Sequence, residues 1–134
     1  MSDTPGFHKV KQIIVVNESL NMSKQKKVFL VGRASVGAFS EARSDVKKTW
    51  LYESRPKLVL DAFDEKDLQD LFFKAQRRRL PVYLVMDGDQ AAQTGAIACL
   101  GIGPASNAEI DALMGVLSFY QWIHQNAVYE RLPG

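Results

Sequence analysis

Short apolar runs alternate with stretches of helical periodicity along this chain, and that alternation limits the folds it can adopt. Residues 11–16 form a β-branched run suited to a buried strand. Further strands are predicted over residues 57–63, 81–86 and 96–102. Strands that alternate with helices predict a layered α/β domain with a mostly parallel or mixed sheet.

Capping residues and apolar spacing predict the helices between these strands. Helices are predicted for about twenty residues after Ser23, from Ser44 to Tyr52, after Asp64, and from about Asn107 with a break near Gly115. In the long first helix, Phe29 and Val36 fall near helical spacing, whereas Gly32, Ala34 and Gly37 permit close approach to a sheet.

Length and composition narrow the class of protein. A chain of 134 residues can bury one core in two or three layers. Its net charge of +2 neither supports nor excludes an RNA partner. A single cysteine, Cys99, forms no internal disulfide and fits a reducing compartment. Because no apolar run has membrane-spanning length and the start lacks a signal peptide pattern, we expect no membrane association and a cytoplasmic location.

The domain organisation follows from the same patterns. Residues 1–9 are polar and predicted to form a flexible tail, and residues 10–117 are predicted to form one domain. Residues 118–134 are apolar and aromatic, and we expect a helical extension that packs on the domain or meets a partner.

Two groups of charged residues are candidates for a functional site. Asp87 follows a predicted strand, and open α/β sheets bind ligands at the carboxyl ends of their strands. Since Gly88 comes next, a simple turn is an equally good interpretation. Lys24 and Lys26 lie in the first turn of a predicted helix, where positive charge opposes the dipole unless an anion binds nearby. A solvated surface remains the alternative interpretation.

Other reactive residue types give weaker signals. His8 and His124 have no companions at metal-ligand spacing, so neither a metal site nor a cofactor is predicted. Cys99 lies within an apolar strand and is predicted to be a core residue rather than a nucleophile.

Three motifs, taken with their order and spacing, link the chain to a known family. They are Met22-Ser-Lys24-Gln-Lys26, Leu80-Pro-Val-Tyr-Leu-Val-Met-Asp87 and Cys99-Leu-Gly-Ile-Gly-Pro-Ala105. We interpret the Gly-Ile-Gly-Pro segment as a sharp turn off the sheet. Over roughly residues 11–117 the chain resembles the peptidyl-tRNA hydrolases of the archaeal and eukaryotic type.

This resemblance implies a fold, an activity and a set of site residues. The implied fold is a three-layer α/β domain with a four-stranded mixed sheet flanked by helices. The implied activity is cleavage of the ester between a peptide and the terminal ribose of tRNA. It assigns catalysis to Asp87 and Lys26 and substrate binding to Lys24 and Arg33. The implied partners are tRNA, or another phosphate-bearing ligand, and a second copy of the chain in a homodimer.

The chain departs from the family pattern at several positions of the same motifs. The family's glycine, paired alanines, glutamine and histidine in the first helix, and its threonine and glutamine after the third strand, correspond here to Gln25, Val28, Phe29, Leu30, Arg33, Ala91 and Ala92. Leu30 cannot hydrogen-bond through its side chain, and Arg33 stays protonated. Two alternatives therefore stand beside hydrolysis: a homologue that binds tRNA or a phosphate ligand without turnover, and a protein-interaction module that uses the aromatic carboxyl terminus.

Overall fold

The computed structural model describes residues 8–62, 64–88 and 95–115 of the chain. Its elements in chain order are β1 (Val10–Asn17), α1 (Lys24–Ser40), α2 (Ser44–Tyr52), β2 (Lys57–Ala62), α3 (Glu65–Arg77), β3 (Val82–Asp87), β4 (Ala96–Ser106) and α4 (Asn107–Met114). This order confirms the predicted α/β class. The side chains of Ser23 and Asp64 accept hydrogen bonds from the backbone N–H groups of Lys26 and Asp67, so both predicted N-caps are confirmed.

The sheet is mixed and four-stranded, in the order β2-β1-β4-β3. β1 and β2 pair in parallel, whereas β4 runs antiparallel to both β1 and β3. Strands β1, β2 and β3 therefore point the same way, and their carboxyl ends meet at one edge beside the start of β4. This edge is the position at which open α/β sheets bind their ligands.

Helices cover both faces of the sheet and produce the predicted three layers. On one face, α3 and α4 pack large aliphatic side chains such as Leu68, Leu71 and Leu113 against Ile13 and Leu100. On the other face, α1 packs Leu30 and Ala34 against a second cluster. Trp50 of α2 contacts Phe39 near the end of α1, with ring centroids 5.5 Å apart.

Helix α1 approaches the sheet closely because its inward residues and their partners are small. A Cβ atom added to Gly101 would lie 2.3 Å from the carbonyl oxygen of Ala34, so no side chain fits there. The buried Gln12 bridges the layers: its Nε2 donates to the carbonyls of Ser35 and Gly103 at 3.0 and 3.1 Å. Ser35 in turn donates its hydroxyl to Gln12 Oε1 at 2.6 Å.

The predicted turn at residues 100–104 is wrong, because β4 continues through this segment to Ser106. Gly103 has a φ of +94°, which bends the strand without ending it, and its N–H donates to the Pro81 carbonyl at 2.9 Å. Pairing with β1 resumes beyond a register irregularity between Lys11 and Ile13, where Lys11 lies opposite Ala105.

Helix α1 buries a different face from the one that its apolar spacing suggested. Its buried residues are Leu30, Ala34, Ser35 and Ala38. Phe29 and Val36 point outward, with 63% and 70% of their surface exposed. The substituted residues Gln25, Val28 and Phe29 are likewise exposed and fill no space between helix and sheet. Because α1 carries apolar residues around most of its circumference, periodicity alone does not identify its inner face.

Some predictions fall outside the described residues. They concern residues 1–7 of the predicted tail, the predicted extension 118–134, and the substituted positions Ala91 and Ala92. Within the described ranges, none of the helices combines the length and apolarity needed to cross a membrane.

Candidate functional site

An ion pair lies where the carboxyl ends of the strands meet the start of α1. Asp87 is the last residue of β3, and Lys26 is the third residue of α1. Lys26 Nζ lies 2.6 Å from Asp87 Oδ1, and the two side chains are 48% and 27% exposed. The pair is thus formed by residues 61 positions apart in sequence, yet both groups remain accessible to a ligand.

The local sequence explains how Lys26 is held. Ser23 Oγ accepts a hydrogen bond from the Lys26 backbone N–H at 3.1 Å, which fixes the first turn of α1. That turn contains lysines at 24, 26 and 27 and no acidic residue. The positive end of the helix dipole and the lysine charges therefore reinforce one another, and together they favour an anion at this edge.

A second charged group lies at the same edge, beside β2. Asp61 hydrogen-bonds with Glu18, and burial followed by the Glu18 charge raises the pKa of Asp61 above its usual value. The Lys27 charge acts in the opposite direction on that pKa, so Lys27 lies close to this carboxyl pair. The two lysines therefore interact with different strands. Lys26 contacts Asp87 at the end of β3, and Lys27 lies near Asp61 of β2.

Arg33 lies two helical turns beyond Lys26, outside the ion pair. Its guanidinium carbon is 6.0 Å from the centre of the Phe29 ring, and the side chain is partly buried. Its charge also reaches Cys99, where it opposes the stronger effect of burial, which raises the pKa of the thiol to about 12. Cys99 is therefore a protonated core residue, as predicted, and its Sγ donates to the Leu30 carbonyl at 3.3 Å.

The structure brings some of the predicted site residues together and separates others. Lys26 and Asp87 are in contact, and Lys24 is an exposed residue in the same helical turn as Lys26. Arg33 lies further along α1, among residues that form an open groove. Within the described ranges, no three His, Cys, Asp or Glu side chains are grouped as metal ligands would be.

Sequence reasoning missed the carboxyl pair of Glu18 and Asp61. Their proximity depends on the parallel register of β1 and β2, in which Val16 lies opposite Asp61. A usable signal existed, since Glu18 directly follows one strand and Asp61 lies near the end of the next parallel strand. Carboxyl ends of parallel strands share an edge, so these acids could have been expected near Lys27.

Comparisons with known proteins identify the family to which this fold belongs. A three-layer α/β fold with charged residues at its strand ends defines a broad class of ligand-binding proteins and enzymes. A family model described as peptidyl-tRNA hydrolase PTH2 matches residues 10–120. The chain belongs to this family.

Archaeal relatives cover the same region. The chain is 41% identical over 110 residues to the peptidyl-tRNA hydrolase of Methanopyrus kandleri, a match that spans 80% of this chain and 95% of that protein. It is 36% identical over 112 residues to the peptidyl-tRNA hydrolase of Haloquadratum walsbyi, spanning 83% of this chain and 100% of that protein. The match to the peptidyl-tRNA hydrolase of Methanothermobacter thermautotrophicus is 31% over 109 residues, 81% of this chain and 97% of that protein.

Proposed function

We propose that this protein hydrolyses the ester bond of peptidyl-tRNA, with Lys26 and Asp87 as its catalytic residues. The observation that carries the proposal is the 2.6 Å contact between these two accessible side chains, at the strand ends and at a basic helix start. The names of the archaeal relatives supply the substrate class. Phe29 gives further support, because it is exposed and leaves this edge open.

The geometry suggests a role for each group in ester hydrolysis. The Asp87 carboxylate accepts a hydrogen bond from a water molecule and directs it at the ester carbonyl carbon. As the water oxygen bonds to that carbon, Lys26 donates to the developing oxyanion. The carbon–oxygen bond to ribose then breaks. The ribose oxygen takes one of the two protons of the attacking water, passed on by the Asp87 carboxylate, and the peptide leaves as a carboxylic acid that carries the other proton until it ionises in water.

The remaining lysines of the first turn supply the contact with RNA in this proposal. Lys24 and Lys27 flank Lys26 at the helix amino terminus, where both the dipole and the side-chain charges attract phosphate. Binding of tRNA should therefore weaken with salt, with a slope of about 0.7–0.9 for each phosphate neutralised. Replacing Lys24 by Met should reduce that slope by roughly the contribution of one phosphate contact.

The proposal is tested by measuring peptide release from peptidyl-tRNA with the purified full chain. Asp87→Asn and Lys26→Met are each expected to lower kcat/KM about a hundredfold or more. The chain offers a matched control, because Lys11 and Asp111 form another ion pair, 2.8 Å long, between β1 and α4. Asp111→Asn and Lys11→Met should leave kcat/KM within about threefold. Equal effects of the two pairs would contradict the assignment.

A homologue that binds tRNA without turnover is the second candidate function. It is favoured by Leu30, which is buried at 4% exposure and offers no polar side chain next to the site. In that case the wild-type chain would bind peptidyl-tRNA in a salt-dependent manner and release no peptide. Measuring binding and release on the same preparation separates the two candidates.

We also propose that the chain forms a homodimer and acts in the cytoplasm. Large apolar side chains exposed on α2 and α3, namely Leu51 and Phe73, provide surfaces for association. The free, buried Cys99 fits a reducing compartment. Sedimentation equilibrium tests the dimer, and a monomer at all accessible concentrations would contradict it. An interaction module built on residues 118–134 is tested by their deletion, which should then abolish assembly.

A further inference from the structure

An open apolar groove lies between the exposed side of α1 and Tyr83 of β3. It has a volume of about 680 Å³, within the range of roughly 300–1,000 Å³ that small-ligand sites occupy. Its lining includes Val28, Phe29, Gly32, Arg33, Val36 and Tyr83. Val28, Phe29 and Val36 form an exposed apolar face at helical spacing, where surface helices usually carry polar residues.

The groove and the ion pair lie on one continuous track between α1 and β3. Tyr83 and Asp87 point to the same face of β3, because side chains alternate along a strand. Tyr83 packs on Gly37 in the last third of α1, and Asp87 contacts Lys26 in its first turn. Helix and strand therefore run side by side in opposite directions, and the groove begins about one turn beyond the ion pair.

Positively charged residues are concentrated at the amino-terminal end of α1. The first turn contains Lys24, Lys26 and Lys27, whereas residues 28–40 contain a single charged residue, Arg33. A ligand that lies along this track meets positive charge at one end and an apolar surface at the other. The ion pair lies near the boundary between the two.

We infer that the groove binds the peptide part of the substrate and selects peptides with bulky apolar side chains next to the ester. This inference rests on the proposed hydrolysis, since an ester held at Lys26 and Asp87 has its phosphate-bearing RNA on one side and its peptide on the other. The RNA lies against the first-turn lysines, and the peptide lies along Phe29 and Val36. A stacked nucleobase is the competing occupant, and the aliphatic residues of the lining favour peptide side chains over a base edge.

Gly32 provides a way to close the groove without damaging the fold. A Cβ at Gly32 would meet nothing within 4 Å, and the residue lies inside a helix, where glycine is unfavourable. Gly32→Leu should therefore fill the groove while keeping α1 intact. Phe29→Ala removes one wall instead. Tyr52→Ala, at an 89% exposed aromatic on α2, is the matched control.

The first experiment measures binding of two dansylated peptide amides, Phe-Leu-Phe and Gly-Gly-Gly, to the full chain. The apolar peptide should bind at least about tenfold more tightly. Phe29→Ala and Gly32→Leu should each remove most of that preference, and Tyr52→Ala should retain it. Equal binding of the two peptides would overturn the inference. Displacement of the apolar peptide by adenosine monophosphate in a Phe29-dependent manner would overturn it in favour of a nucleobase.

The second experiment compares hydrolysis of one tRNA carrying either an apolar or a triglycyl peptide. A preference of about tenfold in kcat/KM for the apolar peptide, lost in Gly32→Leu, supports the inference. Hydrolysis that is indifferent to both the peptide and Gly32→Leu overturns it and leaves the proposed activity standing. If the groove binds the apolar peptide but no peptidyl-tRNA is hydrolysed, the inferred peptide site is supported and the proposed activity is contradicted.

Discussion

The two faces of the sheet are built from different kinds of residue. Against α3 and α4, the sheet packs large aliphatic side chains such as Leu100 and Leu113. Against α1, apolar residues such as Leu30 and Val85 are joined by small and polar groups, namely Gly101, Ala34 and the Gln12–Ser35 network. The first arrangement buries more apolar area. The second brings the backbone of α1 close to the sheet and fixes the position of the helix along it.

This difference indicates a division of roles. The α3/α4 face supplies much of the hydrophobic stabilisation, and the α1 face sets the position of the helix that carries Lys26. Changes on the first face should therefore reduce stability without moving the site. Changes on the second face should displace α1 and thereby alter the contact between Lys26 and Asp87.

The largest expected loss of stability is on the α3/α4 face. Leu113 is fully buried, and Leu113→Ala should lower the free energy of unfolding by about 2–5 kcal/mol, because it leaves a cavity. The same change at the exposed Leu51 should cost less than about 1 kcal/mol. Urea denaturation measures both. Equal losses at the two positions would contradict the assignment of the core.

The next effect tests the close approach of α1. Gly101→Ala places a Cβ against the Ala34 carbonyl and should destabilise by about 1–3 kcal/mol through overpacking. Because relief requires movement of α1, amide chemical shifts across residues 24–40 should change, whereas Leu113→Ala should leave them close to wild type. Gly32→Ala, at open space, should stabilise by about 0.5–1 kcal/mol and serves as the control. Unchanged amide chemical shifts in Gly101→Ala would contradict the proposed difference in role between the two faces.

A smaller effect is expected in the buried polar network. Ser35→Ala removes the hydroxyl that donates to Gln12 Oε1, and a buried acceptor without a partner costs about 1–3 kcal/mol. Here we expect the lower part of that range, because the other two Gln12 hydrogen bonds remain. Ser40→Ala, on the same helix but exposed, should change stability by less than about 0.5 kcal/mol. Thermal unfolding that does not distinguish these serines would refute the contribution of the network.

The smallest effect concerns the carboxyl pair at the site edge. Since the pKa of Asp61 is raised in the fold, its contribution to stability is present below its ordinary pKa of 3.8 and is lost as pH rises through the raised value. Asp61→Asn should therefore stabilise at pH 7 by roughly a few tenths of a kcal/mol, and this gain should vanish below pH 3.8. Glu18→Gln should give a similar gain that does not add to the first. Destabilisation at pH 7 would show that the pair is not a repulsive one.

Much of the fold could be predicted because its signals are local. Caps such as Ser23 and Asp64, and apolar runs such as β1, specify helices and strands within a few residues. The continuation of β4 was missed because Gly103 bends a strand here, whereas glycine followed by proline more often ends one. The outward face of α1 was missed because Phe29 and Val36 look like core residues until the closeness of the sheet excludes them.

For the site, the family resemblance assigned Lys26 and Asp87 to one catalytic site, and the structure brings them into contact. A family resemblance contains spatial information that a single sequence lacks. The Glu18–Asp61 pair depends on strand register, which local patterns do not determine. The groove along α1 also required coordinates, since its walls come from a helix and from a strand about fifty residues away.

The central claim is that Lys26 and Asp87 act together in ester hydrolysis, and a double-mutant cycle on kcat/KM tests it most directly. Lys26→Met, Asp87→Asn and the double variant are assayed on peptidyl-tRNA beside the same cycle at Lys11 and Asp111. We predict that the double variant is about as slow as the slower single variant, because groups that act as a unit lose their effect together. Turnover unchanged in all three Lys26–Asp87 variants, or losses that simply multiply, would contradict the account.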